Sequence, residues 1–186
     1  MEQAKWARSL AGRLLEEPLP QRWAHTKGVA ALAGWLISIT GQDTDLLVSA
    51  AWLHDIGYSP GLVVTGFHPL DGARYLRDVE HQHERLCCLV AHHTGAVFEA
   101  EERGLADELI DEFPRQREEL TDALIYCDMT TGPDGRRLSV EERLSDIYRR
   151  YGPDDIVSRS IARAAPTLTA AARAIAARER SARRGS

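Results

Sequence analysis

Several stretches of this chain place imidazoles or carboxylates where a helical pattern points inward. His25 shares a face with Val29, Leu32, Leu36 and Ile39, at i+4, i+7, i+11 and i+14. His54 follows Leu47, Ala50 and Ala51 at i−7, i−4 and i−3, with Asp55 beside it at the expected helix end. His93 follows Leu86, Leu89 and Val90, with His92 as its neighbour, and Asp128 follows Leu120, Leu124 and Ile125. A buried carboxylate is costly unless a cation or hydrogen-bond donors compensate it. One inward histidine is an ordinary hydrogen-bonded core residue. Several helices that each turn a His or Asp inward call for a shared cause. Divalent ions supply one, because neutral imidazoles and carboxylates bind borderline metals and a bridging carboxylate suits two ions side by side.

The elements that must position these groups read as helices. Residues 3–17 form an amphipathic helix stopped by Pro18 and Pro20, and a second runs from 21 to 39, ended by Gly41. Asp43 or Thr44 caps a third through Asp55, stopped by Gly57 and Pro60. Pro69 suits the first turn of a helix over 69–80, and further helices cover 82–93, 99–110 and 115–129. A turn at Gly132-Pro133-Asp134-Gly135 follows. Ser139 and Glu142 make a capping box for a helix over 140–151. The last helix begins near Pro153 and runs to about Arg180, with a break or kink at Pro166. Period-2 alternation never extends beyond about four residues, so the fold class is all-α. No internal repeat occurs. The chain reads as one domain over 1–177, with a core about 20–130 and C-terminal helices over 139–177. Residues 178–186, rich in arginine, read as a disordered tail.

Composition narrows the function. The 186 residues are 44% hydrophobic, and 23 Lys plus Arg against 28 Asp plus Glu leave a net charge of −5. A dedicated nucleic-acid binder needs a basic face, so nucleic acid is not the expected partner. Cys87, Cys88 and Cys127, an odd count with two adjacent, fit a reducing, cytoplasmic setting without disulfides. The first residues, with Glu2, Lys5 and Arg8, do not read as a signal peptide. The longest apolar stretch, Val29 to Ile39, is shorter than the ~18 residues a membrane span needs.

The ordered set His25, His54-Asp55, Asp128, in the contexts Arg22-Trp23-Ala24-His25-Thr26, Ala51-Trp52-Leu53-His54-Asp55-Ile56-Gly57 and Leu124-Ile125-Tyr126-Cys127-Asp128, resembles the HD-domain metal-dependent phosphohydrolase superfamily. That resemblance implies a helical bundle with extra C-terminal helices and a divalent metal site. Phe67-His68-Pro69-Leu70-Asp71-Gly72-Ala73 and Val90-Ala91-His92-His93-Thr94-Gly95 resemble segments of symmetrical diadenosine-tetraphosphate hydrolases, and His92-His93 also the paired histidines of HD-GYP phosphodiesterases. The implication is two ions (Fe, Mn, Ni, Co or Zn), one on His25, His54, Asp55 and Asp128, the other on Asp55 as a bridge with His68, His92 and His93. Two departures stand out. Tyr58 replaces the Lys that many relatives carry three residues after the Asp, and the Gly-Tyr-Pro signature is absent after His93, where Gly95-Ala96-Val97-Phe98 follows.

The reaction implied is hydrolysis of a phosphoester or phosphoanhydride in a nucleotide or small phosphorylated metabolite, by water activated on the metals. Asp55 and Asp128 are the expected catalytic carboxylates, and Asp128 is placed to orient the water. Arg22, one turn before His25, and Thr131, on the loop after Asp128 with Thr130 and Arg136, are the expected substrate contacts. A homodimer is left open. Two other classes fit the same residues: a mixed-valence di-iron oxygenase of the same fold and a non-catalytic metal- or nucleotide-binding module. Lys27, His81 and His83 read as solvated surface, Cys127 as a packed thiol, and Trp6, Trp23, Trp35 and Trp52 as helix packing.

Overall fold

A computed structural model describes residues 1–115 and 119–184. Ala4, Ala7, Leu10, Ala11 and Leu15 recur at helical spacing and form the buried stripe of α1 (Glu2–Leu15). That stripe lies against α4 (Thr44–Leu53), where eight of ten residues are buried. Pro20 opens α2 (Pro20–Trp35), which packs on the other side of α4. The expected helix over 21–39 breaks at Leu36, and α3 (Ile37–Thr40) is a separate short turn. Local hydroxyls drive the break. Thr40 Oγ1 donates to Leu36 O (3.1 Å) and Thr44 Oγ1 to Gly41 O (2.6 Å), which competes with helix continuation. Trp35 ends up 73% exposed, so its expected packing role is not met, whereas Trp23 and Trp52 stack against each other at 5.3 Å.

The remaining elements are α5 (His68–Asp78), α6 (Glu84–Ala91), α7 (Ala96–Arg103), α8 (Ala106–Glu112), α9 (Glu119–Met129), α10 (Val140–Tyr151) and α11 (Ile156–Arg184). The expected helix over 99–110 is two helices, because Gly104 takes a left-handed φ of 71° and its N–H caps α7. The start of the helix expected over 115–129 includes 116–118, outside the described residues. α9 is buried nearly throughout and lies between α2, α4 and α11. Ser139 and Glu142 form their capping box before α10. α11 passes through Pro166 as one helix. Pro166 and Ala162, whose carbonyl the proline leaves unbonded, are both on the exposed face, where water can satisfy it. The helix also continues to Arg184, so the expected tail is helical over 178–184. Strong helix formers run on there, and Tyr126 and Glu119 on α9 hold Glu179 and Arg178. Residues 185–186 lie outside the described residues. Among the described residues there is no strand beyond an isolated bridge between Thr131 and Arg137, and no helix is long and apolar enough to cross a membrane.

One close approach fixes the site. The turn Ile56–Tyr58 abuts the start of α5, and a Cβ on Gly57 would stand 2.0 Å from His68 O and 2.8 Å from Gly72 N. Backbone on both sides leaves no room to adjust. Gly57→Ala is therefore expected to cost about 1–3 kcal/mol or more, seen as a melting temperature lower by about 2–12 °C. A native melting curve for this variant would contradict the tight docking.

Candidate metal centre

Each chemical group is delivered by the end or inner face of a different element. His25 projects from the middle of α2. His54 and Asp55 form the turn immediately after α4. His68 is the first residue of α5, and the loop before it is tied down by Asp71. That buried carboxylate accepts N–H bonds from Val64, Thr65 and Gly66 (3.0–3.2 Å) and the Thr65 hydroxyl (2.9 Å). Asp71 thus positions His68 without belonging to the site. His93 follows α6, and Asp128 sits one residue before the end of α9.

These six side chains converge in two groups, His25, His54 and Asp128, and Asp55, His68 and His93. Asp55 joins them. Its Oδ2 lies 3.3 Å from His54 Nε2 and 3.9 Å from His25 Nε2, and its Oδ1 lies 3.5 Å from His68 Nε2 and 4.0 Å from His93 Nε2. Three of the imidazoles are oriented by the backbone: His25 Nδ1 bonds Gly132 O (3.0 Å), His54 Nδ1 bonds Ala51 O (2.8 Å) and His93 Nδ1 bonds Val90 O (2.6 Å). A carbonyl only accepts, so each Nδ1 donates and the three Nε2 atoms are left to face the centre. Metal-binding histidines are held in this way. His54 Nε2 is fully buried and has no hydrogen-bond partner. His68 Nε2 and His93 Nε2 face each other at 3.1 Å. Either an Nε2–H of His68 donating to His93 or a cation between the rings makes that approach favourable. The donor set therefore fits divalent ions.

The electrostatics agree. Burial alone would raise the Asp55 carboxyl, but the Arg22 guanidinium and the imidazoles of His54 and His68 hold it well below the usual carboxylate range. Burial opposes Asp128 likewise, yet the His25 hydrogen bond (2.9 Å), His54 and Arg143 keep it ionised. Burial pushes the His68 and His93 imidazoles down, helped by His93 beside His68 and by His54 beside His93.

Two of the expected site residues are not brought here. His92 Nε2 bonds Phe113 O at 2.6 Å, so His92 anchors the segment after α8 instead. Adjacent residues at a helix end point about 100° apart, so His93, in line with Leu86, Leu89 and Val90, faces the centre while His92 does not. Thr131 is 1% exposed and donates to Cys127 O at 2.7 Å, closing the last turn of α9 beneath the surface. Thr130 does the same to Tyr126 O. Arg22 is in place but is engaged. Its Nη1 donates to Asp55 Oδ2 (2.9 Å), and its guanidinium lies 4.0 Å over the Tyr58 ring, which stacks in turn on His68 at 3.9 Å. A cation thus stands beside Asp55 although Tyr58 replaces the lysine.

Two neighbours escaped the sequence reading. The Thr94 hydroxyl donates to Asp128 Oδ2. Arg143 of α10 lies 3.7 Å from Asp128 Oδ1. Thr94 was visible as part of the His-His-Thr-Gly run, and Arg143 as the one charge on the Val140, Arg143, Ile147 stripe. A cleft partly open to solvent leads to Asp55, His68, His93 and Asp128 between α10 and α11. His92→Ala is expected to keep native metal content and lose about 1–3 kcal/mol of stability, whereas His93→Ala loses metal. Elemental analysis after dialysis separates the two, and metal loss in the His92 variant would contradict the assignment.

Residues 22–181 match the HD domain family, and the chain belongs to it. The chain is also similar to ribonuclease Y of Rhodopirellula baltica, 32% identical over 133 residues. That match takes in 68% of this chain and 22% of the relative, so the chain spans about a fifth of that protein's length. No solved structure matches. HD domains bind divalent metals and are typically metal-dependent hydrolases.

Proposed function

We propose that this chain is a two-metal phosphohydrolase that cleaves a phosphoester or phosphoanhydride bond in a nucleotide or similarly small phosphorylated metabolite. One observation carries the reading: the Nε2 atoms of four histidines, three of them buried, and two ionised carboxylates converge from five segments. His25, His54 and Asp128 would hold one divalent ion, His68 and His93 the other, with Asp55 between them. Divalent ions in such a pair lower the pKa of a water toward neutrality and offset charge that develops on phosphoryl oxygens. The protein's own groups do the rest. Backbone carbonyls fix the His25, His54 and His93 tautomers. The Thr94 hydroxyl fixes Asp128 Oδ2 and so turns Oδ1 to the centre. Arg22 keeps Asp55 ionised and sits at the cleft wall where a substrate phosphate enters. α10 and α11 wall the cleft and limit both solvent and substrate size. The relative's name is that of a ribonuclease; a net charge of −5 and a walled cleft favour a small substrate for this chain. Three buried cysteines, none in a disulfide, support a reducing compartment as its setting.

The test is a screen of nucleotides and phosphorylated metabolites with each of Fe, Mn, Ni, Co and Zn, run with and without oxygen. Oxygen-independent release of phosphate or nucleotide is expected. Oxygen-dependent turnover, or none with any metal, would overturn the proposal.

A further inference from the structure

The C-terminal helices bring to the cleft a cation that the metal reading does not use. α10 buries Val140, Arg143 and Ile147 along one stripe, so Arg143 stands where an apolar residue would pack. Its side chain is 7% exposed and lines the cleft beside Thr94 and Asp128. Nη2 stops 3.7 Å from Asp128 Oδ1 and Nη1 stops 3.6 Å from Asp146 Oδ2, both beyond hydrogen-bond reach. Nε and Nη1 are buried with no hydrogen-bond partner. Asp128 is taken by His25 and Thr94; Asp146 pairs with Arg149 (2.7 Å) and Arg150 (3.0 Å), and its Oδ2, which faces Arg143 Nη1, is also without a hydrogen bond, so the guanidinium is only partly compensated and its Nε has no acid beside it. A buried guanidinium with unused donors is costly, and its planar fork matches a phosphate with two parallel hydrogen bonds. Beside Arg143 the wall carries Ile147, Tyr151, Ile161 and Ala164, with Arg150, Glu99 and Ser160 among them.

We infer that Arg143 is a phosphate-binding residue, and that the cleft takes a small phosphomonoester whose apolar part lies against Ile147, Tyr151 and Ile161. The inference deepens the phosphohydrolase reading and rests on it for the groups on the other side of the phosphate.

Phosphonates test it without turnover, because their C–P bond is not hydrolysed. The Mn²⁺-loaded protein is titrated calorimetrically with methylphosphonate and phenylphosphonate. Phenylphosphonate should bind about tenfold or more tighter, through burial of the ring. R143M should weaken both about 10- to 100-fold at unchanged metal content. Native affinity in metal-loaded R143M overturns the phosphate site, and equal affinity of native protein for the two phosphonates overturns the apolar wall. If R143M does not fold, R143K decides, since it keeps the charge facing Asp128 and Asp146. A roughly 3- to 10-fold loss supports the forked contact, and native affinity overturns it. Failure of the native protein to hold metal would sink the hydrolase reading instead. Phosphonate binding that persists in metal-free protein and vanishes in R143M would still uphold Arg143.

Discussion

Replacing Asp55 by Asn will reduce turnover roughly a thousandfold or more and remove bound metal, while the metal-free fold survives. The rate follows from Asp55 facing both groups: Oδ2 toward His25 and His54, Oδ1 toward His68 and His93. Loss of one anionic oxygen weakens both ions at once, and about 4 kcal/mol of lost transition-state stabilisation is a thousandfold in rate. Fold survival follows from the neighbours. The Asn carbonyl can still accept from Arg22, and its amide can donate to the His68 or His93 lone pair. Asp55→Ala is expected to differ, since it leaves the Arg22 guanidinium without its carboxylate and costs about 1–3 kcal/mol more. His81→Ala is the matched control, because His81 is exposed and distant from the centre. Steady-state kinetics, elemental analysis and thermal melts on the three variants check this. Native turnover in Asp55→Asn, or a comparable loss in His81→Ala, would mean the centre lies elsewhere.

The sequence made the converging groups legible because His and Asp on an apolar helical stripe contradict the pattern around them. His25, His54 and Asp128 are read from periodicity alone, and the structure brings them together. His92 was less legible. It enters with the His-His-Thr-Gly resemblance, whereas periodicity puts its neighbour His93, in line with Leu86, Leu89 and Val90, on the inward face. Arg143 was missed for a different reason. A charge on a short helix with arginine and glutamate all around looks like a solvated residue until α11 is seen to cover it. The helix boundaries show the same limit. Gly104 and the Thr40–Thr44 hydroxyls split helices through local hydrogen bonds that compete with the 3.6-residue pattern. The continuation of α11 past Arg178 depends on α9 supplying Glu119 and Tyr126, which only tertiary contact reveals.

Chelation should abolish activity and lower the melting temperature by about 5–11 °C when the loaded protein is measured at a hundredfold excess of metal over its Kd. That excess contributes ~2.7 kcal/mol, and each kcal/mol moves a chain of this size about 2–4 °C. The shift should also depend on pH, with a definite sign. In the metal-free protein, burial lowers the His54 pKa but Asp55 and Asp128 outweigh it and hold it above 6.5. A raised folded pKa means that protonated His54 stabilises the metal-free fold below about 6.5, and that this stabilisation is lost as pH rises through the folded value. Metal stabilisation runs the opposite way, since the same Nε2 must be unprotonated to bind an ion. The gap between loaded and chelated melting temperatures should therefore widen from pH 6 to pH 8. Paired melts at the two pH values check it, and a gap that narrows over that range would mean His54 does not hold the metal.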